Sequence, residues 1–286
     1  MTGQALTAHQ QVEAPTGKGA GDENFPVASI LIARHLRPHV MCFYGFARAA
    51  DDIADSETLS SDEKLRRLDV FEAGLDGDAS GKKGFALRTS LTETGVTDRH
   101  ARDLLNAFRQ DAVKQRYADW DELIGYCELS ANPVGRYLMD LHGEDTALWP
   151  ASDALCTVLQ ILNHLQDLQG DYRRMDRVYL PQDMLADQEL DVPVLDQPRC
   201  PEALRRVLDT CLDRCDVMIA EAGLRPARLR SRRLNAEMRV ITSLAARLSA
   251  RLRREDPLAG RVKLSKPDFA TAALRGIAGL LEPTAR

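Results

Sequence analysis

Two acidic clusters set inside apolar runs constrain this 286-residue chain more than any other feature. The first, Asp51-Asp52-Ile53-Ala54-Asp55, follows Met41-Cys42-Phe43-Tyr44-Gly45-Phe46-Ala47. The second, Asp167-Leu168-Gln169-Gly170-Asp171, follows Val158-Leu159-Gln160-Ile161-Leu162-Asn163. In each cluster two aspartates stand four residues apart, so on a helix they share one face, one turn apart. A helix apolar enough to be buried does not carry several carboxylates unless something compensates them. Two such pairs facing each other in a helical bundle would enclose a polar pocket.

The rest of the chain reads as helical. No alternating strand pattern occurs, and Ala, Leu and Arg are plentiful while aromatics make up 5%. The fold class expected is all-α. Pro26 starts a first helical stretch through Val27, Ile30, Leu31 and Arg34, and Pro38 opens the helix that runs into the first acidic cluster. Ser60 or Ser61 caps another, with Glu63 near the capping-box position. Residues 74–84 read as a glycine-rich loop. Helices follow over 85–94, 98–113, 119–130, 133–142 and 152–171. The proline-containing stretch 173–201 reads as a loop with one short helix near 181–187, and long helices cover 202–222, 230–254 and 267–281. Residues 1–22 lack any sustained period and read as a disordered tail, leaving 23–286 as one domain.

Several function classes are disfavoured. A net charge of −5 gives no signal for nucleic acid. The six cysteines form no C-x-x-C pair, and Cys211 and Cys215 read as core thiols. Residues 1–20 lack the apolar core of a signal peptide, and no run of ~18 apolar residues would span a bilayer. A reducing cytoplasmic setting is expected. Gly77, Gly81 and Gly84 lack the spacing of a phosphate-binding loop, and the six histidines form no metal-binding motif. His164 reads as a packing residue.

The acidic pairs suggest a specific chemistry. Magnesium takes oxygen ligands, keeps several waters, and is commonly held by one or two carboxylates plus substrate phosphates. A diphosphate would be repelled by carboxylates alone, so metal must bridge the two and arginine must complete the neutralisation. Arg48 lies one turn before the first cluster, and Arg173, Arg174 and Arg177 follow the second.

These residues also carry a resemblance. Phe43-Tyr44-Gly45-Phe46-Ala47-Arg48-Ala49-Ala50-Asp51-Asp52-Ile53-Ala54-Asp55 resembles the first signature of squalene and phytoene synthases. Gln160-x-x-Asn163-x-x-Gln166-Asp167-x-x-x-Asp171, then Arg177-Val178-Tyr179-Leu180-Pro181, resembles the second. Leu123-Ile124-Gly125-Tyr126-Cys127, opening into Val134-Gly135, resembles the central helix motif. The resemblance implies a single all-α isoprenoid-synthase bundle with a central cavity. It implies Asp51, Asp55, Asp167 and Asp171 as magnesium ligands, with Asp52 supporting and Mn2+ as the alternative ion. It further implies Arg48 and Asn163 on diphosphate or metal, and Gln160 and Tyr126 lining the cavity. Arg177 and Tyr179 would hold a loop over the mouth. Phe25, Ser29 and Tyr44 would contact substrate.

Departures from the family pattern narrow the expectation. Ser130-Ala131-Asn132-Pro133-Val134-Gly135-Arg136 and Glu23-Asn24-Phe25-Pro26-Val27-Ala28-Ser29 resemble the hydroxysqualene-forming branch. Gln166 stands where arginine is usual, which removes a charge facing the diphosphate. That branch ionises presqualene diphosphate and captures the cation with water, with no NADPH. The alternatives are head-to-head condensation of two prenyl diphosphates and a non-catalytic helical partner of such a synthase. Phe43, Val134, Leu138 and Leu159 are further candidates for cavity lining. Pro133 would kink a helix and, with Asn132, place polar groups and the capturing water near the cation. The basic run Arg225, Arg228, Arg230, Arg232 and Arg233 reads as a solvated face, with anionic lipid as its second reading. Expected partners are therefore presqualene diphosphate, the inner face of a membrane by peripheral contact, and neighbouring pathway enzymes.

Overall fold

The computed structural model describes Val12, residues 31–224 and residues 229–281. The expectations for the tail (Val12 aside), the helix start at Pro26, and Phe25, Ser29, Arg225 and Arg228 lie outside the described residues. The chain forms two compact units, one holding residues 33–114 and the other residues 31–32 and 115–281 of the described chain.

The first unit is four helices. Helix α1 (Arg37–Ala54) begins with Pro38 in its first turn, where a missing N–H costs nothing. It buries Val40, Phe43, Phe46, Ala50 and Ile53. Residues 31–36 are turns and bends, so the earlier helical stretch does not run through Leu31 and Arg34. Helix α2 (Ser61–Asp76) is capped by Ser60, whose hydroxyl accepts from the Glu63 N–H. Helices α3 (Lys82–Thr94) and α4 (Arg99–Asp111) complete the unit.

The region 74–84 is not one loop. Gly74 belongs to α2 and Gly84 to α3, with a short turn between them. A Cβ on Gly84 would collide with the Phe71 carbonyl, one on Gly74 with the Gly81 carbonyl, and one on Gly81 with the Val70 carbonyl. The glycines are there because two helix backbones touch. Gly77 has the additional task of ending α2 at φ 109°, a left-handed conformation that favours glycine.

The second unit is built around α7 (Trp149–Met175), a 27-residue helix. It is preceded by α5 (Trp120–Ser130) and α6 (Asn132–Leu141) and followed by α8 (Gln182–Ala186), α9 (Glu202–Leu224), α10 (Arg232–Leu252) and α11 (Lys266–Leu281). The all-α expectation holds with one small addition. Strands β1 (Arg116–Tyr117) and β2 (Val178–Pro181) pair in parallel. Two and four residues are too few to leave a periodic signal in sequence.

α7 stops at Asp176, whose φ of 51° turns the chain out of the helix. The Arg116 guanidinium grips the Asp176 carboxylate at 2.6 Å and also its carbonyl. This clasp carries the chain directly into β2, so Tyr179 lies on the strand with Arg177 just before it, and both are buried.

The motif from Ser130 to Arg136 is a helix junction. α5 ends at Ser130, α6 begins at Asn132, and Pro133 occupies its first turn, so there is a break between two helices and no kink within one. The buried Thr157 hydroxyl on α7 donates to Asn132 Oδ1 at 2.9 Å. Gly135 lies against Ser152 and Cys156, where a Cβ would meet the Cys156 sulfur at 2.6 Å. Arg136 holds Asp153 with two bonds of 2.8 and 2.6 Å. All three therefore fasten α6 to α7. Cys211 and Cys215 are buried thiols, as expected, Cys127 is buried too, and burial pushes the Cys211 thiol up to about 12.

Candidate active site

Each unit presents one acidic pair near a helix C-terminus. In the first, Asp51 and Asp52 lie in the last turn of α1 and Asp55 caps it, with no basic residue in that turn. Unsatisfied carbonyls give a helix C-terminus partial negative charge, so adding carboxylates there costs energy unless a cation arrives. Arg48 compensates in part, 3.1 Å from Asp51 and 2.6 Å from Asp52. Asp111, buried at the end of α4, adds further negative field at Asp51. Burial first, then Asp55, holds the Asp51 carboxyl well above its ordinary range. Asp111 carries no motif of its own, and its part in this field is invisible before folding.

In the second unit Asn163, Asp167 and Asp171 follow one another at i, i+4 along α7. Their counter-charges differ from those expected. Arg173 turns away to Asp196, at 2.6 Å, and Arg177 donates to the Tyr179 hydroxyl at 3.3 Å. Arg174 reaches Asp171 at 3.2 Å. The main partner of Asp167 is Arg261, 94 residues later, which grips both carboxylate oxygens at 2.5 and 2.9 Å. Gln166 is buried and donates to the Val262 carbonyl at 2.5 Å, so it anchors the loop that carries Arg261. The charge missing at position 166 is supplied from a distant segment, and sequence spacing offered no way to see it.

His164, the residue after Asn163, joins an aromatic cluster. Tyr126, expected to line the cavity, and Tyr179, expected to hold the loop over its mouth, have ring centroids 5.4 Å apart and hydroxyls 3.5 Å apart. Tyr117 stacks on Tyr179 at 5.5 Å. His164 stacks on the same ring at 3.4 Å, and the Gln160 amide donates to its Nε2 at 3.1 Å, which leaves the imidazole proton on Nδ1. Burial first, then Arg177, pushes His164 down to about 3. Its folded form thus binds fewer protons than the unfolded chain, whose histidine titrates near ~6.5. Stability is expected to fall as pH drops from ~6.5 towards 3. In His164→Phe, which keeps the stack, the urea midpoint should fall less between pH 7.5 and pH 5 than in the parent. Equal falls would remove His164 as the cause.

Tyr44 remains partly exposed on α1 and Val134 is exposed on α6. Among the described residues, no three acidic, imidazole or thiol side chains converge into a metal cage. Hard oxygen donors in pairs suit a cation that completes its shell with water and phosphate oxygens, and the raised Asp51 carboxyl marks negative charge that such a cation would relieve.

Comparison with known proteins agrees with this chemistry. The squalene/phytoene synthase family model matches residues 19–268. A hydroxysqualene synthase of Rhodopseudomonas palustris is 45% identical over 91% of this chain and 90% of its own length. One of Sinorhizobium fredii is 41% identical over 93% and 90%. Among solved structures, the squalene synthase HpnC of Alicyclobacillus acidocaldarius superposes with a TM-score of 0.71 at 28% identity, covering 80% of this chain and 87% of that one. A dehydrosqualene synthase in complex with ligand gives a TM-score of 0.74 at 18% identity, over 90% and 91%, a likeness of fold. The protein is a helical enzyme of the isoprenoid-synthase fold. The chain belongs to the squalene/phytoene synthase family.

Proposed function

We propose that this protein is a hydroxysqualene synthase, a carbon–oxygen lyase that releases diphosphate from presqualene diphosphate and traps the rearranged cation with water. The observation that carries the reading is 40–45% identity to three hydroxysqualene synthases over at least nine-tenths of both chains. The acidic helix ends support it, because they suit metal-bridged diphosphate.

Asp51, Asp55, Asp167 and Asp171 would hold Mg2+, with Asp52 fixing Arg48. Bound there, the ion supplies Lewis-acid neutralisation of the leaving diphosphate. Arg48, Arg174 and Arg261 touch these carboxylates and would donate to the phosphate oxygens of the bound diphosphate. Asn163 orients the diphosphate. Tyr126, Tyr179 and Gln160 present π-faces and neutral dipoles to the cation, and Arg177 fixes the Tyr179 hydroxyl. Loss of diphosphate leaves a cyclopropylcarbinyl cation. It rearranges, water oxygen forms the new C–O bond, and the water proton passes to the departed diphosphate. No reductant enters.

The test is product identification with purified protein and Mg2+. Presqualene diphosphate should give hydroxysqualene without NADPH, and farnesyl diphosphate should give neither squalene nor presqualene diphosphate. Condensation products from farnesyl diphosphate would replace the reading with that of a head-to-head synthase, and silence on both would sink it.

Asn132 was expected to help place the capturing water. Its Oδ1 is committed to Thr157, so its first effect is on packing. Asn132→Ala strands a buried hydroxyl and should lower unfolding free energy by ~1–3 kcal/mol. A chemical role adds a shift from alcohol to hydrocarbon product. Unchanged stability in denaturant titration would contradict the packing account, and an unchanged product ratio would remove the chemical one.

A further inference from the structure

The acid-bearing face of α7 carries an imidazole that has no part in the chemistry described so far. At ~3.6 residues per turn, Gln160, Asn163, His164, Asp167 and Asp171 fall within an arc of about 100°. His164 therefore shares the face of the acids, one turn after Gln160 and about 4.5 Å of helix rise before Asp167. It also meets the aromatic side of the site. Its ring stacks on Tyr179 with centroids 3.4 Å apart and planes 13° apart, and lies 6.0 Å from the Tyr126 ring.

Packing alone does not account for an imidazole here. A phenylalanine would stack as well, without two ring nitrogens to satisfy. One nitrogen is satisfied, because the Gln160 amide donates to Nε2 at 3.1 Å. That bond fixes two properties of the ring. The proton sits on Nδ1, and the imidazole is neutral, since an imidazolium has no lone pair to offer at Nε2. Among the described residues no protein atom accepts from Nδ1–H, and His164 is only half-buried, so the ring keeps an open edge. Water capture needs such a group. A carbocation in an apolar cavity loses a proton to give a hydrocarbon unless a water oxygen is held against it. A donor bonded to one lone pair of that oxygen leaves the other free to attack. A neutral donor can stand beside a carbocation, whereas a charged one would repel it. Asn132, the other candidate for this task, has its Oδ1 committed to Thr157.

We propose that His164 holds the capturing water, its Nδ1–H donating to the water oxygen while Gln160 fixes the tautomer of the ring and Tyr179 its plane. The inference rests on the reading of the protein as a hydroxysqualene synthase. The water oxygen forms the C–O bond with its free lone pair, and the proton it sheds goes to the departed diphosphate. His164 keeps its own proton throughout, because Nε2 is occupied. Without His164 the same cation loses a proton from carbon instead and ends as a C30 hydrocarbon. Neither route takes up an oxidant or a reductant.

Two measurements test this on the whole protein. The first is the nitrogen NMR spectrum of the histidine-labelled parent without substrate. The His164 signals, identified by their loss in His164→Phe, should show the neutral Nδ1–H tautomer. The second is the ratio of hydroxysqualene to C30 hydrocarbon formed from presqualene diphosphate with Mg2+, read among the products so that a slow variant still reports. His164→Phe keeps the stack and loses the donor, and its ratio should fall about tenfold, the effect of one hydrogen bond on a kinetic competition. His164→Asn puts an amide N–H where Nδ1 stood and should recover most of the ratio. A parent-like ratio in His164→Phe overturns the proposal and leaves the functional reading intact. So does a His164→Asn no better than His164→Phe, which would assign the effect to stacking, and so does an Nε2–H tautomer in the parent. A parent that forms no alcohol removes the functional reading and this inference together.

Discussion

Asp167→Asn is expected to lower kcat/KM for the prenyl diphosphate substrate by about 10³-fold, which corresponds to ~4 kcal/mol of transition-state stabilisation. The substitution keeps the shape of the side chain and removes its charge. In the proposed role one metal ligand is lost, so half-saturation by Mg2+ should move upward as well. The same change also breaks the two bonds to Arg261, and a second variant separates the causes. Arg261→Ala leaves the carboxylate in place and should cost less, with the Mg2+ dependence nearly intact and KM raised. If both variants lose activity equally and neither alters Mg2+ saturation, Asp167 serves the loop and not the cation. Asp51→Asn should behave like Asp167→Asn.

The acidic pairs were legible because their signal is local. An i, i+4 spacing in an apolar run needs only helix geometry to be understood, and α1 and α7 place both pairs as that geometry requires. Helix positions were legible for the same reason. The partners of the acids were not. Arg173 is near Asp171 in sequence yet spends its charge on Asp196, while Arg261 arrives from beyond α10. Gln166 shows the hazard of reading one position alone: it looks like a lost charge and is the anchor of a replacement. Asn132-Pro133 likewise looks like a chemical device and is first a joint between helices. His164, read as packing, does pack, but on the ring of Tyr179, which the family resemblance places over the mouth, and against Gln160, which it places in the cavity lining. In each case the missing information was a contact between residues distant in sequence, which no period or spacing encodes.

The second large effect should come from a residue with no chemistry. Gly84→Val is expected to unfold the first unit or lower its stability by ~3 kcal/mol or more. At Gly84 the new Cβ would enter the Phe71 carbonyl and lie 2.9 Å from the Leu75 nitrogen, both backbone atoms of α2. Backbone in a helix cannot yield as a flexible side chain can, so α2 and α3 must separate. α1 packs against both, and Phe46 contacts Phe71 with centroids 5.6 Å apart. Separation therefore disturbs the helix that carries Arg48, Asp51 and Asp55. Gly84→Ala should show the same effect more weakly, with a lower melting temperature and a Mg2+ response that degrades in step with folding. Gly45→Ala is the control: a Cβ there meets nothing within 4 Å, so stability should hold or rise slightly because alanine favours helix. A Gly84→Val protein that melts with the parent would show that α2 and α3 do not need to touch, and the glycines between them would then require another explanation.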